Sequence, residues 1–257
     1  MGHLLLGRLA ATRRWNDVVE LLRTGADIAT LADATAHAAE SELQSAKGDP
    51  GLGYTVWLLA QLPLAARSAH FAARLGELGF NARSEQSILG IVAGFTKAVD
   101  QHVSGSSGRT DLGELARQAA SESLLAIAGA DLPSLFGSTA DDVQRELGKL
   151  ASKNGFAGLA REFFARLTQK TLDYYISREL PNHVGPGKAI ATIDQQIAFN
   201  AALAVHCREA SLIVEEFAGG WFSKANFKGD ITPSQAQGFT DYALKKMRDE
   251  LRARRGG

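Results

Sequence analysis

This sequence predicts an all-α protein, an irregular bundle of about ten helices around two long central ones, and three observations carry that expectation. Apolar residues recur at three- and four-residue steps over long stretches, with little of the two-residue alternation of strands. Serine, threonine and aspartate stand repeatedly just ahead of those stretches, where a side-chain oxygen can satisfy the free amides of a first helical turn. The six prolines fall mostly at stretch edges, while alanine and leucine, both strong helix formers, recur throughout.

In chain order, residues 14–23 form the first predicted helix, ended by Gly25, and 28–46 the second, with Asp27 as its cap. After the loop at Lys47, Gly48, Asp49, Pro50 and Gly51 comes a third helix over 52–61. Pro63 predicts a kink or a fresh start, because its ring removes a helical hydrogen bond, and 64–78 is the helix that follows. The apolar run 52–66 contains Gln61 and Pro63 and is shorter than the roughly 20 residues a membrane span needs. Ser84 precedes the one-sided stripe Ile88, Leu89, Val92, Phe95 and Val99, which reads as an amphipathic helix.

The segment Ser104, Gly105, Ser106, Ser107, Gly108 offers free backbone and nothing to bury. It separates an N-terminal helical lobe, 1–103, from a C-terminal lobe, 110–257, or else forms a loop within one continuous domain. Thr110 or Asp111 then caps a helix to about residue 128, with Pro133 in its exit loop, and Thr139 with Asp142 opens a short helix through Leu150.

The organising element is the stretch 155–180. Phe156, Leu159, Phe163, Leu167 and Tyr174 make one apolar stripe, and Phe164, Leu172, Tyr175 and Ile176 a second beside it. Two stripes imply burial between several neighbours, and a helix of about 25 residues is roughly 37 Å long, enough to cross a small domain. A turn-rich segment, 181–188, follows. Thr192 and Gln195 form a capping box for the second long helix, 193–218, whose predicted seam is Phe199, Leu203, His206, Ala210, Ile213 and Phe217, with Gly219 and Gly220 as its stop. Thr232, Pro233 and Gln235 combine a capping box with proline at the first helical position. The last helix, to about 254, has one apolar stripe, Ala236, Phe239, Ala243, Met247 and Leu251, and is expected on the outside.

Function is constrained more by exclusion than by signature. With 45% apolar residues, 22% charged residues and a formal net charge of +0, the chain has no strong electrostatic field to announce its partner. Cys207 is the only cysteine, which excludes an intrachain disulfide and a multi-cysteine zinc site, and fits a cytoplasmic location. The apolar run Leu4 to Leu6 is too short for a secretory leader, and no membrane segment is expected. Gly187 and Lys188 lack the spacing of a phosphate loop, and hydrolase, dinucleotide and calcium signatures are absent.

Four candidate surfaces remain. Residues 181–188, with Arg178, Asn182, His183 and Lys188 in or beside them, present polar groups between long helices, and His183 is a candidate general base with Glu179 to orient it. Within His206, Cys207, Arg208 and Glu209, His206 and Glu209 share a helix face. Trp221 and Phe222, with Phe227, are aromatics placed either in the core or as an anchor for a partner. Lys245, Lys246, Arg248, Arg252, Arg254 and Arg255, against Asp249 and Glu250, leave a local charge of +4 that suits phosphate or an acidic protein, but no aromatics interleave to stack bases.

The reading these carry is a non-catalytic interaction or scaffold subunit of a cytoplasmic multi-protein assembly, without cofactor or metal, whose partners are other proteins or a second copy of itself. The alternatives are an enzyme centred on His183 or His206, and a subunit contacting nucleic acid through its basic C-terminal helix. A partner's footprint is expected on 181–188 or on 219–227.

Overall fold

Many of the helices begin where a side chain stands in for the missing carbonyls of a previous turn; those at Phe71–Glu77 and Leu212–Phe227 begin without such a bond. The computed structural model describes residues 12–80, 87–106, 110–132, 138–179, 185 and 190–253. These contain eleven helices and no β-strand: α1 (Arg13–Thr24), α2 (Ile28–Ser45), α3 (Pro50–Ala66), α4 (Phe71–Glu77), α5 (Ile88–Ser106), α6 (Asp111–Ala128), α7 (Ala140–Lys149), α8 (Lys153–Glu179), α9 (Ile193–Ala210), α10 (Leu212–Phe227) and α11 (Pro233–Ala253). Thr12, Asp49 and Thr110 each accept a backbone N–H of the first turn of α1, α3 and α6. The expected capping boxes at Thr139 with Asp142, Thr192 with Gln195, and Thr232 with Gln235 are all formed. Asp27 accepts from the Thr30 amide at 3.0 Å, and Gly25 ends α1 at φ 73°, a conformation glycine adopts without a side-chain clash.

The bundle is built on α8 and α3. Helix α8 packs against α10, α6, α9 and α2, and both predicted stripes are buried except Tyr174, which is half-buried. Helix α3 is apolar on all sides, as a helix surrounded by neighbours must be, and contacts α11, α6, α7, α5 and α4. Trp57 Nε1 and Gln61 Nε2 both donate to the Ile231 carbonyl, at 2.8 and 2.7 Å, fastening α3 to the entry of α11. Gln144 Nε2 donates to the Ala66 and Ser68 carbonyls, each at 3.0 Å, fastening α7 to the other end of α3. Where α8, α10 and α11 meet, Phe156 stacks on Phe222 at 4.3 Å and Trp221 on Phe239 at 4.2 Å, with Phe164 and Phe217 edge-on to Phe239.

Several boundaries differ from the sequence expectation, each for a physical reason. The stretch 193–218 is two helices. Ser211 Oγ donates back to the Arg208 carbonyl at 2.7 Å, competing with the regular ladder, and the chain bends by 42° there. Gly219 and Gly220 do not stop the helix; they lie inside α10, and Gly219 faces the first turn of α8, where a side chain would meet the Lys153 backbone. Pro63, inside α3, does not start a new helix. It lies within one turn of the helix end, so only a terminal hydrogen bond is forgone, and the surrounding core holds the last turn in place. Helix α5 runs through Ser104 and Gly105 to Ser106, while Ser107 and Gly108 lie outside the described residues, as does Ser84. Buried side chains from both sides of this segment belong to one continuous cluster. Helix α11 buries its expected stripe, but against α3 and α2 as well as α10, so it is half enclosed.

Candidate functional site

Among the described residues, three of the six exposed large hydrophobic side chains lie on one helix, α9. Its inner face, Phe199, Leu203, Cys207 and Ala210, is buried against α2 and α8. Its outer face should carry polar residues on an ordinary surface helix. Instead Ile193, Ile197 and Val205 are 76%, 61% and 53% exposed, with Ala198 and Ala201 exposed beside them and Leu212 continuing the line at the start of α10. Ile193, Ile197, Ala201 and Val205 are four apart, so each is offset from the last by only about 40° around the axis, and together they form a ridge down the whole helix. Asp194 and Arg208 stand at opposite ends of the same face, both exposed. Further along, Phe227 at the end of α10 is 91% exposed.

Sequence reasoning assigned α9 to the interior and overlooked this ridge. The signal was present: a helix with a complete inner seam that carries a second apolar row on its opposite side has more apolar surface than one neighbour can cover. Phe199, Leu203 and Ala210 of the predicted seam are buried as expected, and one position of it in α9 differs. Cys207 occupies the buried position assigned to His206, and His206 lies beside it, half-buried.

The other sequence candidates are distributed as follows. Arg178 is exposed, and its guanidinium lies 4.2 Å above the Tyr174 ring and donates to the Tyr174 hydroxyl. That hydroxyl donates to Asp111 Oδ2 at 2.9 Å, so Arg178 belongs to a polar chain joining the end of α8 to the start of α6. Asn182, His183 and Lys188 lie outside the described residues. Phe222 is 1% exposed and stacked on Phe156 in the core, so it is no outward anchor, and Trp221 is half-buried and stacked on Phe239. Among the basic residues, Lys245 is exposed, Lys246 lies 5.6 Å from the Tyr242 ring, and Arg248 pairs with Asp249 at 3.5 Å. Lys245 and Arg248, three residues apart, share a face of α11 and line one small pocket with Lys47 and Asp241, while Lys246 lies on another side. The Arg252 side chain, Arg254 and Arg255 lie outside the described residues.

A cleft of about 310 Å³ opens between the end of α5 and the start of α6, lined by Val99, Asp100, Val103, Asp111, Glu114 and Arg117. Its charges are engaged with one another. Arg117 pairs with Glu114 and, at 3.3 Å, with Asp100, and the Glu114 hydrogen bond chiefly raises the guanidinium above its ordinary pKa. Asp111 is taken by Tyr174, whose own pKa is raised by burial first and by that carboxylate second. The Thr110 hydroxyl, which also lines the cleft, accepts the Gly113 amide at 2.9 Å as the cap of α6.

Two groups with displaced titration lie between α8 and α9. Burial lifts Asp173 to about 6, against a smaller opposing pull from Lys170. Cys207 is pushed up, first by burial and then by the nearby Asp173 charge, so it stays a neutral thiol and is no nucleophile. Among the described residues no three of His, Cys, Asp or Glu converge where they could hold a metal ion. No single described helix is long and apolar enough to cross a membrane; α9 and α10 pass that test of length and composition only as a bent pair. Set against protein-family models, curated proteins and solved structures, the chain matches none of them significantly.

Proposed function

We propose that this chain is a non-catalytic α-helical interaction subunit of a cytoplasmic protein assembly, and that the outer face of α9 is its contact surface. The observation that supports this most is the ridge of Ile193, Ile197, Ala201 and Val205 on a helix whose opposite face is already packed. Covering an exposed isoleucine or valine of this kind contributes about 1 to 2 kcal/mol, and a contiguous row of them is the usual mark of a surface that another protein covers. The cleft between α5 and α6 is compatible with the same reading, since Arg117 is paired with Glu114 and Asp100, and Asp111 with Tyr174. The expected footprint moves accordingly, from 181–188 and 219–227 to α9, with Phe227 as the exposed aromatic nearest its continuation.

The test is a pair of variants. Ile197→Glu combined with Val205→Glu leaves the core untouched, keeps the helical circular dichroism spectrum, and abolishes the chain's co-elution with its assembly in native extract. His206→Ala leaves assembly and cellular function intact. Normal assembly in the double glutamate variant, or loss of function in folded His206→Ala protein, would overturn the proposal.

A further inference from the structure

The charge pattern on the α9 ridge is self-complementary, and we infer that its occupant is a second copy of this chain, docked α9 against α9 in antiparallel orientation about a two-fold axis at Ala201. The inference rests on reading this face as an interaction surface and names what covers it. In an isologous contact residue i meets j and j meets i, so the face must match its own reversal. Centring the axis on Ala201 sets Ala201 against its copy, Ile197 against Val205, and Asp194 against Arg208, twice over. The acidic and basic ends lie 14 residues apart, about 21 Å along the helix. Small side chains at the centre, Ala198 and Ala201, let the two helices approach closely, while the branched residues fill the space on either side.

Neither Asp194 nor Arg208 has a side-chain ion pair among the described residues, so both are available for a partner. A parallel pairing would set Asp194 against Asp194 and Arg208 against Arg208, and the repulsion selects the antiparallel one. A membrane surface suits the ridge less well. Helices that lie on membranes carry several cations beside their apolar face, whereas α9 offers Arg208 alone against Asp194 and Glu209.

The test is sedimentation equilibrium of the full chain up to roughly 100 µM, repeated for three variants that change exposed residues only. The parent sediments with twice the monomer mass. Asp194→Arg weakens association about tenfold, because two attractive pairs become two repulsive ones. Asp194→Arg combined with Arg208→Asp restores it, which only an antiparallel self-pairing predicts. Ala201→Cys, in a chain whose native Cys207 is buried, forms an intermolecular disulfide on mild oxidation. A parent chain monomeric throughout the range overturns the inference, as does a dimer indifferent to both charge variants. A monomer that binds anionic vesicles through Ile197 would assign the face to a membrane instead. A monomer whose assembly with another protein is lost in Ile197→Glu would sink self-pairing but leave the interaction reading standing; a monomer that needs Ile197 for nothing would sink both.

Discussion

Two adjacent glycines in α10 should respond to the same substitution with opposite signs. A Cβ on Gly219 would press on the Lys153 carbonyl oxygen, 2.8 Å from Lys153 Cγ and 3.0 Å from the carbonyl carbon, whereas a Cβ on Gly220 meets nothing within 4 Å. Replacing glycine by alanine within a helix stabilises it by about 1 kcal/mol through propensity, and both sites receive that gain. At Gly219 it is outweighed. The obstacle is backbone, which cannot rotate away, so α8 and α10 must separate, disturbing the Phe156 and Phe222 stack between them; overpacking of this kind costs about 1 to 3 kcal/mol. Gly219→Ala is therefore expected to be destabilised by up to about 2 kcal/mol net, and Gly220→Ala to be stabilised by about 0.5 to 1 kcal/mol. At about 2 to 4 °C per kcal/mol for a chain of this size, Tm falls in the first and rises in the second. Thermal and urea unfolding followed by circular dichroism at 222 nm read both. Equal stabilisation of the two variants would refute the close approach of α8 and α10.

Asp173 yields a pH-dependent prediction. Its folded pKa of about 6 exceeds the ordinary 3.8, so its contribution favours the folded state below pH 3.8 and is lost as the pH rises through 6. Asp173→Asn should accordingly add about 1 to 2 kcal/mol at pH 7 and almost nothing at pH 4, and a gain independent of pH would contradict the assignment. Phe222→Ala should lose about 3 to 5 kcal/mol because it empties the aromatic core, while Phe227→Ala, 91% exposed, should change stability by less than about 0.5 kcal/mol. Similar losses from the two, measured by urea titration, would contradict the burial pattern.

Local rules carried the fold well wherever the determining groups were neighbours in sequence. Thr139 with Asp142, Thr192 with Gln195 and Thr232 with Gln235 are separated by three residues, and each box formed where expected. The double stripe of α8 was equally legible, because amphipathic period and multiple burial are written in the same residues. Features set by distant partners were not. Nothing near Gly219 announces that Lys153 will lie against it, so a pair of glycines that usually ends a helix was read as an end. Pro63 alone suggests a fresh start because the helices that hold α3 together around it, α6, α7 and α11, lie far along the chain. The α9 ridge was hidden by the assumption that a long apolar helix is central. Its two apolar rows are distinguishable from those of α8 only once α2 and α8 are seen to cover one of them, while Ile193, Ile197 and Val205 of the other stay exposed. Phe222 shows the converse, an aromatic that looks available for a partner until the packing of α8 against α10 encloses it.

The measurement that bears most directly on the α9 face is hydroxyl-radical footprinting of Ile193, Ile197 and Val205 in native extract and again after purification and serial dilution. All three are exposed in the isolated chain, so the account predicts strong oxidation at low concentration and protection in the extract, with buried Phe199 and Leu203 protected throughout. Equal oxidation of the ridge in both conditions would show that nothing covers it, and the proposed function would fall.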